Sequence, residues 1–365
     1  MKKFLFSILS IVLAFTLLLS GCGATMPLSF NNAFNGGGGS STGIREGFKE
    51  VLTYDVTYLE NYDSYYKKSD LLTDSMLTFS YQNGTYVTEF SVVSATSSTL
   101  PEQVKSSEIL SVLDNDSNKM IYCINTELNI DVVANVMDGK GDVTNHDFIK
   151  STTYFLMEGH SFAPIYSVQT TKTTFFTYLG DSVSLTANDT DYLIYEYGVV
   201  YDKKSYTINK KATEYKQGKE PIETIDQPTV CEYEFKRVID NGTLLFALRN
   251  LTIESESSAT LPTASPSYQT PKSLTVTNHD EFSLALTVNY NGEEKTAPQL
   301  PVKKLGFVLS DDKNKGAPQY AIIQSAENGD IPFRSLLVEY VQPLTTYGTF
   351  VYMGALKYTL KSVEI

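Results

Sequence analysis

From about Phe48 to Ile365 the chain alternates apolar and polar residues with a period of two, in run after run bounded by Asn, Gly, Asp and Ser. A strand sends successive side chains to opposite faces, so runs of this kind fold as strands with one buried face. VLTYDVTYL, GTYVTEFSVVS, KMIYCINTEL, STTYFLM, TKTTFFTYL, YLIYEYGVVY, TVCEYEFKRV, FSLALTVNY, YAIIQSA and FVYMGALKYTL all read as strands. Asn83-Gly84, Asp138-Gly139 and Asn291-Gly292 stand between such runs, where tight hairpin turns need left-handed backbone. The expected fold is mostly β, with extensive antiparallel pairing.

Two stretches break the alternation. LPEQVKSSEILSVL places Pro101 in a first helical turn, with Val104, Ile109, Leu110 and Leu113 as an apolar side. DNGTLLFALRNL offers Asp240, Asn241 or Thr243 as a cap, with Leu244, Leu248 and Leu251 along one face. Arg249 lies at the edge of that face, where it can bury its stem and hold its head on a carboxylate or on backbone carbonyls, a solvated Arg at the helix end being the competing reading. Residues 255–267, SESSATLPTASPS, read as a linker, which allows a subdivision near 255–270. A single long β domain over 48–365 is equally compatible with the pattern.

The first 21 residues are of a different kind. Lys2 and Lys3 precede an uncharged run from Phe4 to Leu19, too short for a comfortable membrane span and followed at once by small residues. This is an export signal. Leu19-Ser20-Gly21-Cys22 resembles the lipobox of bacterial lipoproteins. The resemblance implies cleavage between Gly21 and Cys22, a diacylglyceryl group and an N-acyl chain on Cys22, and a lipid-anchored extracytoplasmic location at the cell membrane or outer surface. Two acyl chains hold a protein where one only lingers. Gly23 is not the Asp that retains such proteins at an inner membrane. Residues 22–47, rich in Gly, Ser and Asn, are expected to form a flexible tether.

Without residues 1–21 the chain keeps 27 cations against 42 acids, a net charge of −15. That surface argues against nucleic-acid partners, which need clustered Lys and Arg, and leaves membrane attachment to the acyl chains. Cys123 and Cys231 remain after lipidation, and both sit in strand-like runs. They are expected to be small hydrophobes, a disulfide being the alternative.

Chemistry-bearing motifs are sparse. Gly159-His160-Ser161-Phe162-Ala163 approaches the nucleophile elbow of serine hydrolases, but Ala163 replaces the final Gly, Pro164 follows, and the next residues alternate as a strand. Ser161 and His160 are therefore expected to be structural. His146, His160 and His279 form no close-spaced metal pair, and Asp138, Asp142 and Asp147 miss the order of a calcium loop. The glycines at 36–39 and Lys140 make no phosphate loop. No catalytic residue, metal or cofactor is expected beyond the lipid on Cys22.

The chain holds 25 Tyr and no Trp. In YLIYEYGVVY, Leu193, Tyr195, Tyr197, Val199 and Tyr201 share one face. That face reads as cross-strand packing, as a sugar platform, or as the rim of an apolar pocket.

NGTLLFALRNLTI at 241–253 and LGFVLSDDKNKGAPQYAIIQSAENGDIPFRSLLVEY at 305–340 resemble a family of exported bacterial proteins of unknown function. In that family a short LYYLR helix precedes an iWLSDD hairpin. Leu244, Phe246, Leu248 and Arg249 stand for the helix, and Leu309-Ser310-Asp311-Asp312 for the hairpin. LTYDVTYL at 52–59 is similar to the family's opening strand. Phe307 or Val308 replaces the Trp, and the Pro falls at Pro318 after an insertion. The resemblance implies a half-barrel, a large curved antiparallel sheet with a helix in its concave face, similar to carriers that shuttle lipoproteins. It supplies no catalytic residues, and it implies Asp311 or Asp312 as the partner of Arg249. The function expected is non-enzymatic binding of an apolar ligand inside the sheet, or a structural role with the interior filled by the protein's own side chains. A carbohydrate or cell-wall module using surface tyrosines is the alternative, and a serine hydrolase the remote one.

Overall fold

The computed structural model describes residues 29–30, 46–61, 69–72, 76–107, 120–136, 142–156, 162–178, 183–186, 191–201, 206–231, 239–249, 251–253, 257–264, 272–309, 319–332, 334–345, 347–348 and 352–365. In chain order the strands are β1 (Ser29–Phe30), β2 (Lys49–Leu59), β3 (Leu77–Ser94), β4 (Met120–Val136), β5 (Val143–Leu156), β6 (Ala163–Lys172) and β7 (Phe175–Tyr178). Next come β8 (Val183–Thr186), β9 (Tyr192–Tyr201), β10 (Tyr206–Tyr215), β11 (Ile222–Ile225), β12 (Thr229–Cys231), β13 (Ile239–Asp240) and β14 (Leu251–Thr252). The last are β15 (Ser258–Ala264), β16 (Lys272–Tyr290), β17 (Glu293–Leu309), β18 (Gln319–Gln324), β19 (Leu337–Thr345), β20 (Tyr347–Gly348) and β21 (Tyr352–Glu364). Two short helices accompany them, α1 (Glu102–Lys105) and α2 (Leu244–Arg249), the second entered through a 3-10 turn at Asn241–Thr243.

Sixteen of these strands form one sheet, nearly all of it antiparallel, in the order β11-β10-β9-β6-β5-β4-β3-β2-β21-β19-β18-β17-β16-β15-β13, with β12 also on β10. The first long strand and the last are neighbours: Val51 faces Glu364, and Leu59 faces Ala355. Beyond β19 the sheet closes on itself, because the end of β21 also takes β16, in parallel, at Asn289/Ser362 and Tyr290/Val363. β16, β17, β18, β19 and β21 thus make a ring, and β2 to β11 leave it as an open wing. Bulges at Thr53/Tyr54, Gln82/Thr85, Asn278/Glu281 and Pro343/Thr345 bend the long strands.

Helix α2 lies inside the curve. Its aromatic Phe246 stacks on Phe90 of β3 at 4.4 Å and reaches Phe155 of β5, while α2 also packs on β19. β5 and β19 stand five places apart in the sheet order. At about 4.8 Å per strand that is about 24 Å along a flat sheet, twice a helix diameter. A single helix touches both because the sheet wraps it.

Several expectations need correcting. Asn291-Gly292 is a hairpin turn, with φ of 52° and 85°, but Asn83-Gly84 is not. β3 runs straight through it with a bulge, and a Cβ on Gly84 would come within 2.6 Å of the Val56 carbonyl. The glycine is there for close packing inside a strand. β4 and β5 pair as a hairpin around Asp138-Gly139, which itself lies outside the described residues. Within the stretch read as a linker, Ser258–Ala264 is strand β15, paired with β16, and residues 265–271 lie outside the described set. Inside the stretch read as a tether, Ser29–Phe30 pairs with Leu251–Thr252. The TKTTFFTYL run is two strands, split at Thr173-Thr174, where the buried Asp147 carboxylate accepts the N–H and the hydroxyl of Thr174, each at 2.7 Å. Helix α1 is one turn, and residues 108–119 lie outside the described set. Helix α2 stops at Arg249, because Leu251 already belongs to β14; Leu244, Leu248 and Leu251 are nonetheless all buried.

Candidate functional site: the charged end of the concave face

Alternation on β2 puts Glu50, Leu52, Tyr54, Val56 and Tyr58 on one face. Glu50 is in phase with the apolar residues and is only 1% exposed. Its partner is Arg249, 4% exposed, at the last position of α2. Arg249 Nη1 donates to Glu50 Oε1 at 2.6 Å and Nη2 to Oε2 at 3.1 Å, a two-pronged pair. The expected partners, Asp311 and Asp312, lie outside the described residues; the carboxylate seen on Arg249 comes from the opposite end of the chain.

The rest of the guanidinium is held by carbonyls. Nε donates to the Ser335 carbonyl at 3.0 Å and Nη2 to that of Arg334 at 3.2 Å. These carbonyls are aimed by a loop that Gln324 organises: its side-chain carbonyl accepts the Arg334 N–H, and its amide donates to Pro332 O. Ser335 is left-handed, with φ of 49°, a conformation costly for a residue with a Cβ. The guanidinium also lies 5.5 Å from the Phe246 ring centroid.

Next to this pair is a small cavity of about 20 Å³, bordered by Glu50, Tyr54, Thr88, Thr126, Phe246 and Arg249 among others. Tyr54 is 1% exposed, and its hydroxyl has no hydrogen-bond partner among the described residues. Burial drives its pKa far up, against the pull of Arg249. Tyr86, whose ring packs 5.8 Å from that of Tyr54, is pushed up by burial too, with a Thr126 hydrogen bond working the other way. At neutral pH these are neutral phenols. The arrangement clamps α2 to β2 and to the loop before β19.

The other sequence candidates are dispersed. Gly21, Cys22, His160 and Ser161 lie outside the described residues. The segment beginning at Ala163 is strand β6, not the helix that an elbow requires. Leu193, Tyr197 and Val199 are buried, Tyr197 at 1% exposure, and Tyr195 is half-buried with a pKa raised to about 12, chiefly by burial. The row gives no solvent-facing platform at those positions; Tyr201 is on the same strand. Cys123 is a free buried thiol whose pKa burial lifts to about 12, so it is not in a disulfide with Cys231. His146 meets Asp131 at 2.9 Å on the surface, and no metal-binding cluster occurs among the described residues. No helix there is long and apolar enough to cross a membrane. Glu50 belongs to no sequence motif, although a charge in phase with Leu52, Tyr54 and Val56 is a usable signal.

No family model matches the chain, and no curated protein matches it either. Among solved structures it is similar to a beta-barrel-like protein of domain of unknown function DUF1849 from Brucella abortus, with a TM-score of 0.40 and 11% identity over 88% of this chain and 98% of that one. A likeness of this size says nothing about activity.

Proposed function

We propose that the chain is a lipid-anchored, extracytoplasmic protein of the cell envelope that works by binding and not by catalysis. Its site is the concave face of the sheet, where an apolar ligand takes the place that α2 fills when the site is closed. The observation that carries this reading is the plug itself. A six-residue helix buries Leu244, Phe246, Ala247 and Leu248, sets the Phe246 ring against Phe90, Phe155 and Phe162, and is fastened at its end by one charged clamp. Ligand pockets have volumes of roughly 300 Å³ or more, so the room beside the clamp admits no acyl chain unless α2 withdraws. Leu52, Phe90 and Ile124 would line the space it vacates. The anchor on Cys22 would hold this face near a source of apolar molecules.

Two measurements test the reading. Cys22→Ala should accumulate as unprocessed precursor or leave the membrane fraction; recovery with membranes at mature size would sink the anchor. The same variant, free of covalent lipid, should carry a stoichiometric apolar molecule in native mass spectrometry or bind a fluorescent acyl probe. If it does neither, the ligand reading fails and the interior is a filled core.

A further inference from the structure

We infer that the cavity beside the Glu50–Arg249 clamp is a binding site for one internal water molecule, and that this water is a structural part of the clamp. Three observations meet there. The cavity, with about 20 Å³ open to the centre of a water-sized sphere, has room for at least one water. A phenol hydroxyl buried to all but 1%, that of Tyr54, has no protein partner among the described residues. Left dry, a buried hydroxyl forfeits the hydrogen bonds it had in water. Residues that can complete a water's bonding, Glu50, Thr88 and Thr126, border the same space. Thr126, already bonded to Ser151 at 2.6 Å, keeps acceptor capacity on its oxygen. A dry cavity of this size would have to be apolar, and this one has Glu50, Tyr54, Thr88, Thr126 and Arg249 on its wall.

The water would take the Tyr54 hydroxyl proton in a hydrogen bond and donate in turn to the carboxylate or a threonine oxygen, linking β2, β3 and β4 beneath α2.

The sign of one substitution separates a wet site from a dry one. With water present, Tyr54→Phe removes a satisfied donor and should lower the urea midpoint of the full chain; with a dry cavity it removes an unsatisfied group and raises the midpoint. Oxygen-17 relaxation dispersion supplies a readout independent of stability, and the wild type should show one more long-lived water than Tyr54→Phe. A high-resolution crystal structure should place that water within hydrogen-bond distance of Tyr54 Oη. An equal water count, a raised midpoint, or a Tyr54 hydroxyl bonded to a protein atom would each overturn the proposal.

Discussion

The ring and the wing are parts of one sheet, yet they solve the same problem differently. Inside the ring the buried set is dominated by aliphatic residues, with Ala297, Leu300, Val302, Leu305, Ala321, Ile323, Val341 and Leu356 all without measurable exposure, and its buried polar pairs include aromatics, Tyr340 donating to Gln319 at 3.0 Å and Tyr358 to Gln342 at 3.1 Å. In the wing the buried set turns polar with distance from the ring. Thr153 bonds Ser167 at 2.9 Å, and Gln169, Thr171, Lys210 and Glu214 are buried as well. A closed ring has no edge, so most of its buried positions can be given to hydrocarbon. An open wing must satisfy its inward groups strand to strand, and it ends in an exposed edge at β11, where Ile225 is 73% exposed. Helix α2 sits where the two regimes meet, its charged end fixed between β2 and the loop before β19.

Three sets of substitutions can break that contrast. Arg249→Ala leaves Glu50 buried without its partner and should cost about 3–5 kcal/mol in urea unfolding. Arg249→Lys, which keeps the charge but loses the fork, should cost less. A loss below about 1 kcal/mol for the alanine variant would mean that the clamp does not join ring to wing. Next, Leu300→Ala in the ring should cost about 2–5 kcal/mol, against about 1–3 for Ser167→Ala in the wing, where Thr153 loses a partner. Equal costs would show that the two interiors are not different in kind. Smallest of all, Ile225→Thr on the free edge should stay within about 0.5 kcal/mol; a larger loss would show that this edge is covered in solution.

Much of this was legible in the residues, for reasons that differ from place to place. Strands that bury one face, such as LTYDVTYL, announce themselves because their period survives any tertiary context. α2 was legible because its leucines recur at helical spacing, whereas a place at the edge of that face suits a solvated Arg249 as well as a buried one, so its burial was not. Asn83-Gly84 misled because a turn dipeptide and a bulged, closely packed strand ask for the same residues. Ser258–Ala264 hid as a linker because an outer strand near the sheet's end can be built from Ser, Thr and Pro when one long neighbour supplies the pairing. The partner of Arg249 was beyond local reasoning: Glu50 lies 199 residues away, and only the finished sheet brings the two together. The ring closure rests on two residue pairs, too few to leave a pattern.

The junction of β2 with β21 sets the order in which the molecule can be made. Tyr58 donates to the Met353 carbonyl across 295 positions, and the whole ladder between these strands joins the opening strand of the β region to its last residues. A chain that emerges from its N-terminus completes the wing strands while the edge of β2 still lacks its neighbour. Pairings this distant are slow to close, because the loop entropy is met before any contact forms. Until Tyr352–Glu364 arrives, β2 is an open template for any passing strand, so a truncated or stalled chain should aggregate where the full-length chain folds.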